Sequence, residues 1–183
     1  MKIEALAIPD ILLLTPRRFA DARGFFCETY NIRTMAEAGI TQPFVQDNHS
    51  LSRQRGVIRG LHCQLAPHPQ GKLVRCTSGA IWDVAVDARQ ASPTFGSWVA
   101  AELSAENGSQ LWIPPGFLHG FCTLTDDAEV QYKCTDLWDR DSERSVRWDS
   151  PELAIAWPVA PGAAILSDKD AEAPDFSTVR DWF

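Results

Sequence analysis

Between residues 24 and 136 the chain is broken into short apolar or alternating runs, each closed by glycine, proline or a cluster of small polar residues. Runs of about four to eight residues with a side-chain period of two specify β-strands. Their succession, without long segments of helical period, specifies an all-β sandwich or barrel. The strands expected are 24–30, 44–51, 57–64, 72–77, 80–87, 95–103, 110–113, 120–124 and 129–136. Ser78-Gly79 joins two of them in a hairpin, and Pro114-Pro115-Gly116 forces a turn between two others. One helix is expected, capped by Asn31, running through Ala38 and ended by Gly39. The tail beyond Trp157, rich in Pro and Ala, reads as irregular chain laid across the barrel or over its mouth.

At 183 residues and 45% apolar content the chain builds one core, so residues 1–183 are read as a single domain. It has no apolar run of the roughly 18 residues that a membrane span needs, and its N-terminus lacks the pattern of a signal peptide; a cytoplasmic protein is expected. Five widely spaced cysteines with no C-x-x-C pair point away from a disulfide framework or a zinc knuckle. A net charge of −7 excludes a general nucleic-acid binder, which needs a basic surface. An anionic small molecule needs only local cations in a cleft, and Arg23, Arg59, Lys72 and Lys169 can supply them.

His62 follows Val57-Ile58 and shares a strand face with Gly60 and Gln64, opposite Leu61 and Cys63. A lone strand histidine is ordinarily structural. Here Gln46 and Asn48 alternate on the preceding strand and Tyr132 and Cys134 on a later one. Inward polar groups cost free energy unless a ligand or a network satisfies them, so these strands imply a wet pocket inside the barrel. His62 with Lys72, Tyr132 and Asp170 supplies a base, a cation, an acid and a carboxylate on separate segments. That set can remove a proton beside a carbonyl and return it.

Pro115-x-x-x-His119 is similar to half of the cupin metal signature. The other half is missing, since His62-Cys63-Gln64 stands where two histidines would be and no glutamate follows at the short spacing. A cupin barrel without metal is the preferred reading, with His119 a hydrogen-bonding or ligand-contacting residue. A metal-bearing oxygenase or isomerase and a non-catalytic sugar-nucleotide module are the alternatives.

A further resemblance covers nearly the whole chain. The segments Phe19-x-Asp21-x-Arg23-Gly24-Phe25-Phe26-x-Glu28, Phe44-x-Gln46-Asp47-Asn48-x-Ser50, Arg59-Gly60-Leu61-His62, Gly71-Lys72-Leu73-Val74, Pro114-x-Gly116-Phe117-x-His119-Gly120-Phe121, Tyr132-Lys133-x-Thr135-Asp136 and Ser167-Asp168-Lys169-Asp170 occur in one order. In order and spacing they resemble the dTDP-4-dehydrorhamnose 3,5-epimerase family. The resemblance implies a cupin double-stranded β-helix, a jelly-roll barrel with one or two short helices, assembled as a homodimer. It implies action without metal or redox cofactor on a dTDP-linked 4-keto-6-deoxy sugar, inverting C3 and C5 to give dTDP-4-keto-L-rhamnose. By the same match His62 is the base, Asp170 steadies its ring, Lys72 faces the enolate oxygen and Tyr132 is the acid on the other face. A phenol of ordinary pKa near 10 would need help from neighbouring cations or hydrogen bonds in that role. Phe19, Arg23, Phe26, Glu28, Gln46, Asn48, Arg59, His119, Glu143 and Lys169 match substrate-contacting positions. Where the family commonly stacks a tyrosine on the thymine, this chain has Leu137-Trp138; an indole stacks at least as well. A mono-epimerase acting at C3 or C5 alone, or a ketoisomerase on a related nucleotide-linked 4-keto sugar, is the alternative within the enzyme class.

Overall fold

The computed structural model describes residues 1–160 and 162–183. Thirteen strands and two short helices are placed among them: β1 Lys2–Ala5, β2 Leu12–Thr15, β3 Arg18–Asp21, β4 Gly24–Cys27, α1 Ile32–Glu37, β5 Gln46–Ser52, β6 Ile58–Gln64, β7 Lys72–Ser78, β8 Ala80–Asp87, β9 Trp98–Ser104, β10 Gln110–Ile113, β11 Phe117–Thr123, β12 Ala128–Cys134, β13 Glu143–Ser145 and α2 Asp168–Ala171. A six-stranded sheet in the order β1-β2-β10-β7-β12-β5 faces a five-stranded sheet in the order β13-β6-β11-β8-β9, and β3-β4 form a separate hairpin. Every strand pair is antiparallel. This is the two-sheet jelly roll expected of the alternating runs.

The period of two sorts side chains into three layers. Val74 and Cys76 of β7, Ile81 and Ala85 of β8, Phe117 and Phe121 of β11 and Ala128 and Val130 of β12 meet between the sheets. Their neighbours Leu61, Val84, Val86 and Leu118 point outward and are covered by the tail through Leu153, Phe176 and Trp182. On the far side Leu14, Leu73 and Trp112 pack under Met35 of α1. Asn31 caps α1 by accepting from the Arg33 N–H, and Gly39 ends it at φ +81°, as the sequence predicts.

Strands β1, β2 and β3 have no counterpart in the sequence reading. The run Ile11-Leu12-Leu13-Leu14 is apolar without alternation, so period two gives it no strand signal. The expected strand 24–30 stops at Cys27, and the segment expected at 120–124 begins three residues earlier, at Phe117. The tail is irregular in its described residues apart from α2 and a 3₁₀ turn at Phe176–Thr178.

Strands β6 and β11 approach so closely that a Cβ at Gly60 (φ +121°) would lie 2.6 Å from Gly120 Cα and 2.7 Å from the His119 carbonyl oxygen. The ladder between the two strands shifts register just there, between His119 and Phe121. This glycine contact sets where His62 and His119, cross-strand partners, stand relative to each other. All five cysteines are free thiols, and among the described residues no helix is long and apolar enough to cross a membrane.

Candidate active site

The alternation that buries the core also assembles a polar end to the barrel. Lys72 continues the inward row of Val74 and Cys76, Tyr132 and Cys134 continue that of Ala128 and Val130, and His119 lies between Phe117 and Phe121. Tyr132 pairs with Asn48 on one side and Val74 on the other, and Cys134 with Gln46 and Lys72. One end of the interior is therefore apolar and filled, and the other is polar and open. Two adjoining hollows, of about 330 and 250 Å³, share His62, Lys72 and Tyr132 as their common wall. The larger is lined also by Gln46, Asn48, Trp138 and Glu143, the smaller by Arg59, His119, Phe121 and Asp170.

His62 is half-buried, and one ring nitrogen lies 2.6 Å from Asp170 Oδ1. Asp170 sits in α2, whose cap Ser167 donates its hydroxyl to Asp170 Oδ2 at 2.8 Å and accepts from the Asp170 N–H. The neighbouring Lys169 reaches Glu143 of β13 at 2.6 Å, so α2 is fastened to the five-stranded sheet at two points. Burial pushes the Asp170 carboxyl up. The hydrogen bond and charge of His62, with Ser167 and Lys169, outweigh it and hold the group below the ordinary carboxylate value. A carboxylate can only accept, so the ring nitrogen facing it carries the proton and the other nitrogen presents its lone pair.

The Lys72 ammonium makes one hydrogen bond among the described residues, to the His62 carbonyl oxygen at 3.4 Å, and burial lowers its pKa. Tyr132 faces His62 from the opposite sheet. Burial pushes its phenol up, and the influence of Cys134 and Glu143 adds to this against a smaller pull from Arg59. The lowering that the sequence reading asked of nearby cations is thus reversed: the phenol stays protonated, the form an acid requires. His119 is buried with a ring nitrogen 2.7 Å from Asp83 Oδ1, and burial lowers its pKa.

The structure brings together His62, Asp170, Lys72, Tyr132, Gln46, Asn48, Arg59, His119, Trp138 and Glu143, with Lys169 one contact behind. It does not bring Phe19, Arg23, Phe26 or Glu28 to this cavity. Phe19 and Phe26 lie on the β3–β4 hairpin, 52% and 69% exposed, Arg23 at its turn pairs with Asp21 at 2.6 Å, and Glu28 is exposed just beyond. Sequence reasoning missed Asp83 and Ser167. The signal for Asp83 was an acid inside the apolar run Ile81-Trp82-Asp83-Val84; for Ser167 it was a capping serine three residues before an acid. Among the described residues no three His, Cys, Asp or Glu side chains are grouped to hold a metal ion.

Comparison with known proteins places this geometry. A family model described as dTDP-4-dehydrorhamnose 3,5-epimerase matches residues 5–178. The Pseudomonas aeruginosa protein of that name is 54% identical over 178 residues, covering 97% of each chain. The crystal structure of the Legionella pneumophila dTDP-6-deoxy-D-glucose-3,5-epimerase, solved in complex with dTDP-4-keto-L-rhamnose, superposes with a TM-score of 0.93 at 46% identity, covering 98% of this chain and 94% of that one. The Bacillus anthracis dTDP-4-dehydrorhamnose 3,5-epimerase, with TDP and pyrophosphate bound, gives 0.92 at 47% identity, over 96% of this chain and 99% of that one. The fold is the cupin-type β barrel of these enzymes, and the chain belongs to the dTDP-4-dehydrorhamnose 3,5-epimerase family.

Proposed function

We infer that this protein inverts C3 and C5 of dTDP-4-keto-6-deoxy-D-glucose to give dTDP-4-keto-L-rhamnose. The observation that carries the mechanism is His62 of one sheet, 2.6 Å from Asp170 of α2, facing Tyr132 on the other sheet, with Lys72 in the wall they share. In a 4-keto sugar the carbonyl acidifies the hydrogens on both C3 and C5, because either anion is a delocalised enolate. The free ring nitrogen of His62 takes the proton, and the imidazolium that forms is steadied by the Asp170 carboxylate. Lys72 meets the charge that develops on the C4 oxygen. The protonated Tyr132 then gives a proton to carbon from the opposite face, which inverts the centre. A phenol is a far stronger acid than a C–H beside a ketone, so its raised pKa does not prevent the transfer.

The nucleotide supplies binding free energy remote from the reacting carbons, which orients the sugar. Trp138, exposed on the rim of the larger hollow with its backbone N–H donating to Gln46 Oε1 at 2.9 Å, offers an indole face for the base. Arg59 offers a guanidinium to the diphosphate or to sugar oxygens. Phe19, Arg23, Phe26 and Glu28 serve the site of a second copy: the hairpin that carries Phe19, Arg23 and Phe26 pairs with neither sheet, is tied to the barrel through Arg18, and exposes Phe25 as well, so a homodimer completes each cavity. The five free thiols suit a reducing cytoplasm.

The test is incubation with dTDP-4-keto-6-deoxyglucose in deuterated water. Label entering both C3 and C5 is the expected result. Label at one carbon identifies a mono-epimerase, and no label overturns the enzyme reading.

A further inference from the structure

Asp83 is a carboxylate turned into the barrel interior that the chemistry above does not use. It stands in β8 between Ile81 and Ala85, fully buried in the core shared by the two sheets. Its Oδ1 accepts from the His119 ring at 2.7 Å, and its Oδ2 has no hydrogen-bond partner among the described residues. An anion in such a place is costly unless an opposite charge lies close by.

His119, which Asp83 holds, shares the wall of the smaller hollow with Lys72, and the charge of Asp83 raises the Lys72 pKa against the burial that lowers it. Ionisable groups face the Lys72 region from five strands and α2: Arg59, His62 and Cys63 on β6, Tyr132 and Cys134 on β12, Asp83 on β8, His119 on β11, Glu143 on β13 and Asp170 on α2, both of whose carboxylate oxygens are engaged by His62 and Ser167. Burial pushes the Cys63 thiol up to about 12 and raises Cys134 and Tyr132, so these three carry no charge at neutral pH. The Glu143 carboxylate is engaged by Lys169 at 2.6 Å. Asp83 alone of the carboxylates facing Lys72 keeps a buried oxygen to spare.

We propose that Asp83 is a positioning residue for the epimerisation: one oxygen fixes the His119 ring against the cavity wall, and its charge keeps Lys72 an ammonium where the enolate oxygen forms. The proposal rests on the enolate reading given above. An ammonium stabilises an oxyanion by charge as well as by hydrogen bonding, whereas a neutral amine would leave the C4 oxygen with a weak donor only.

Asp83→Asn removes the charge while its amide oxygen can still accept from His119. The expected result is a lower kcat with KM changed by less than about threefold, the pattern of an interaction made only in the transition state. The alkaline limb of the kcat profile should move down by about 1–3 pH units, the effect of an opposite charge on a neighbouring ionisable group. A limb that moves in Asp83→Asn and persists in Tyr132→Phe belongs to Lys72. A variant that binds dTDP like the parent and keeps the parental limb overturns the proposal. His119→Gln decides the matter if Asp83→Asn does not fold. There the Asp83 carboxyl is left in place, so the limb stays where it is or rises, and a downward shift overturns the proposal. Absence of turnover by the native chain instead overturns the epimerase reading, and is measured first.

Discussion

In the proposed reaction two side chains on facing sheets divide the work at the reacting carbon, and their removal should leave different signatures. His62→Ala removes the base; turnover should fall by about 10²–10⁴-fold, with almost no solvent label entering either carbon. Tyr132→Phe keeps the base and removes the acid across from it. Label should still wash in through His62, returned to the face it left, while net inversion falls by a similar factor. Mass and NMR analysis of recovered sugar separates the two, and equal loss of label in both variants would sink the assignment of faces. At the rim, Trp138→Ala should weaken dTDP binding by about 1–3 kcal/mol, the usual contribution of a base stacked on an aromatic ring. Titration calorimetry with dTDP measures it. Acid behaviour follows from Asp170, whose folded pKa is depressed. Its contribution to stability is complete above the unfolded carboxylate value of about 3.9 and is lost as pH falls through the lower folded value. Asp170→Asn should therefore flatten the acid edge of a Tm-against-pH curve.

Among the elements, the crossing of β6 and β11 controls the site most directly. Gly60→Ala places a methyl against the backbone of Gly120 and His119, at a φ that alanine resists. Overpacking and backbone strain each cost about 1–3 kcal/mol. Urea unfolding should register the combined loss, with activity falling further because His62 and His119 are displaced together. Helix α2 is the second controlling element, four residues long and useful for where it holds Asp170. Elements of this kind differ in how well sequence reveals them. The inward row of β7 was readable because Lys72, Val74 and Cys76 alternate with outward Leu73 and Arg75. Period two also placed Gln46, Asn48, Tyr132 and His62 on facing walls. It could not show β2, whose leucines do not alternate, or α2, which is shorter than any helical period can register. The Asp83–His119 contact was invisible for another reason: it joins β8 and β11, neighbours in one sheet whose pairing and register the alternation of either run alone does not specify. The hairpin residues Phe19, Arg23 and Phe26 were read from motif and side-chain chemistry, and a single chain does not bring them to the cavity it forms.

At the scale of the whole molecule, the proposed dimer sets the exposed hairpin of one copy at the open mouth of the other. Solution scattering should give a particle of two 20.3 kDa chains. Phe26→Asp, at a side chain 69% exposed, should leave the barrel folded while shifting the particle toward a single chain and reducing turnover. A native chain that is monomeric and fully active would remove the basis for the shared cavity. The fold also imposes an order in time. His62 lies 108 residues ahead of the carboxylate that orients it, with most of the two sheets encoded between them. On the ribosome the sugar-binding walls can therefore close around a nascent chain whose imidazole is still unoriented, and chemistry waits for translation to deliver one late aspartate.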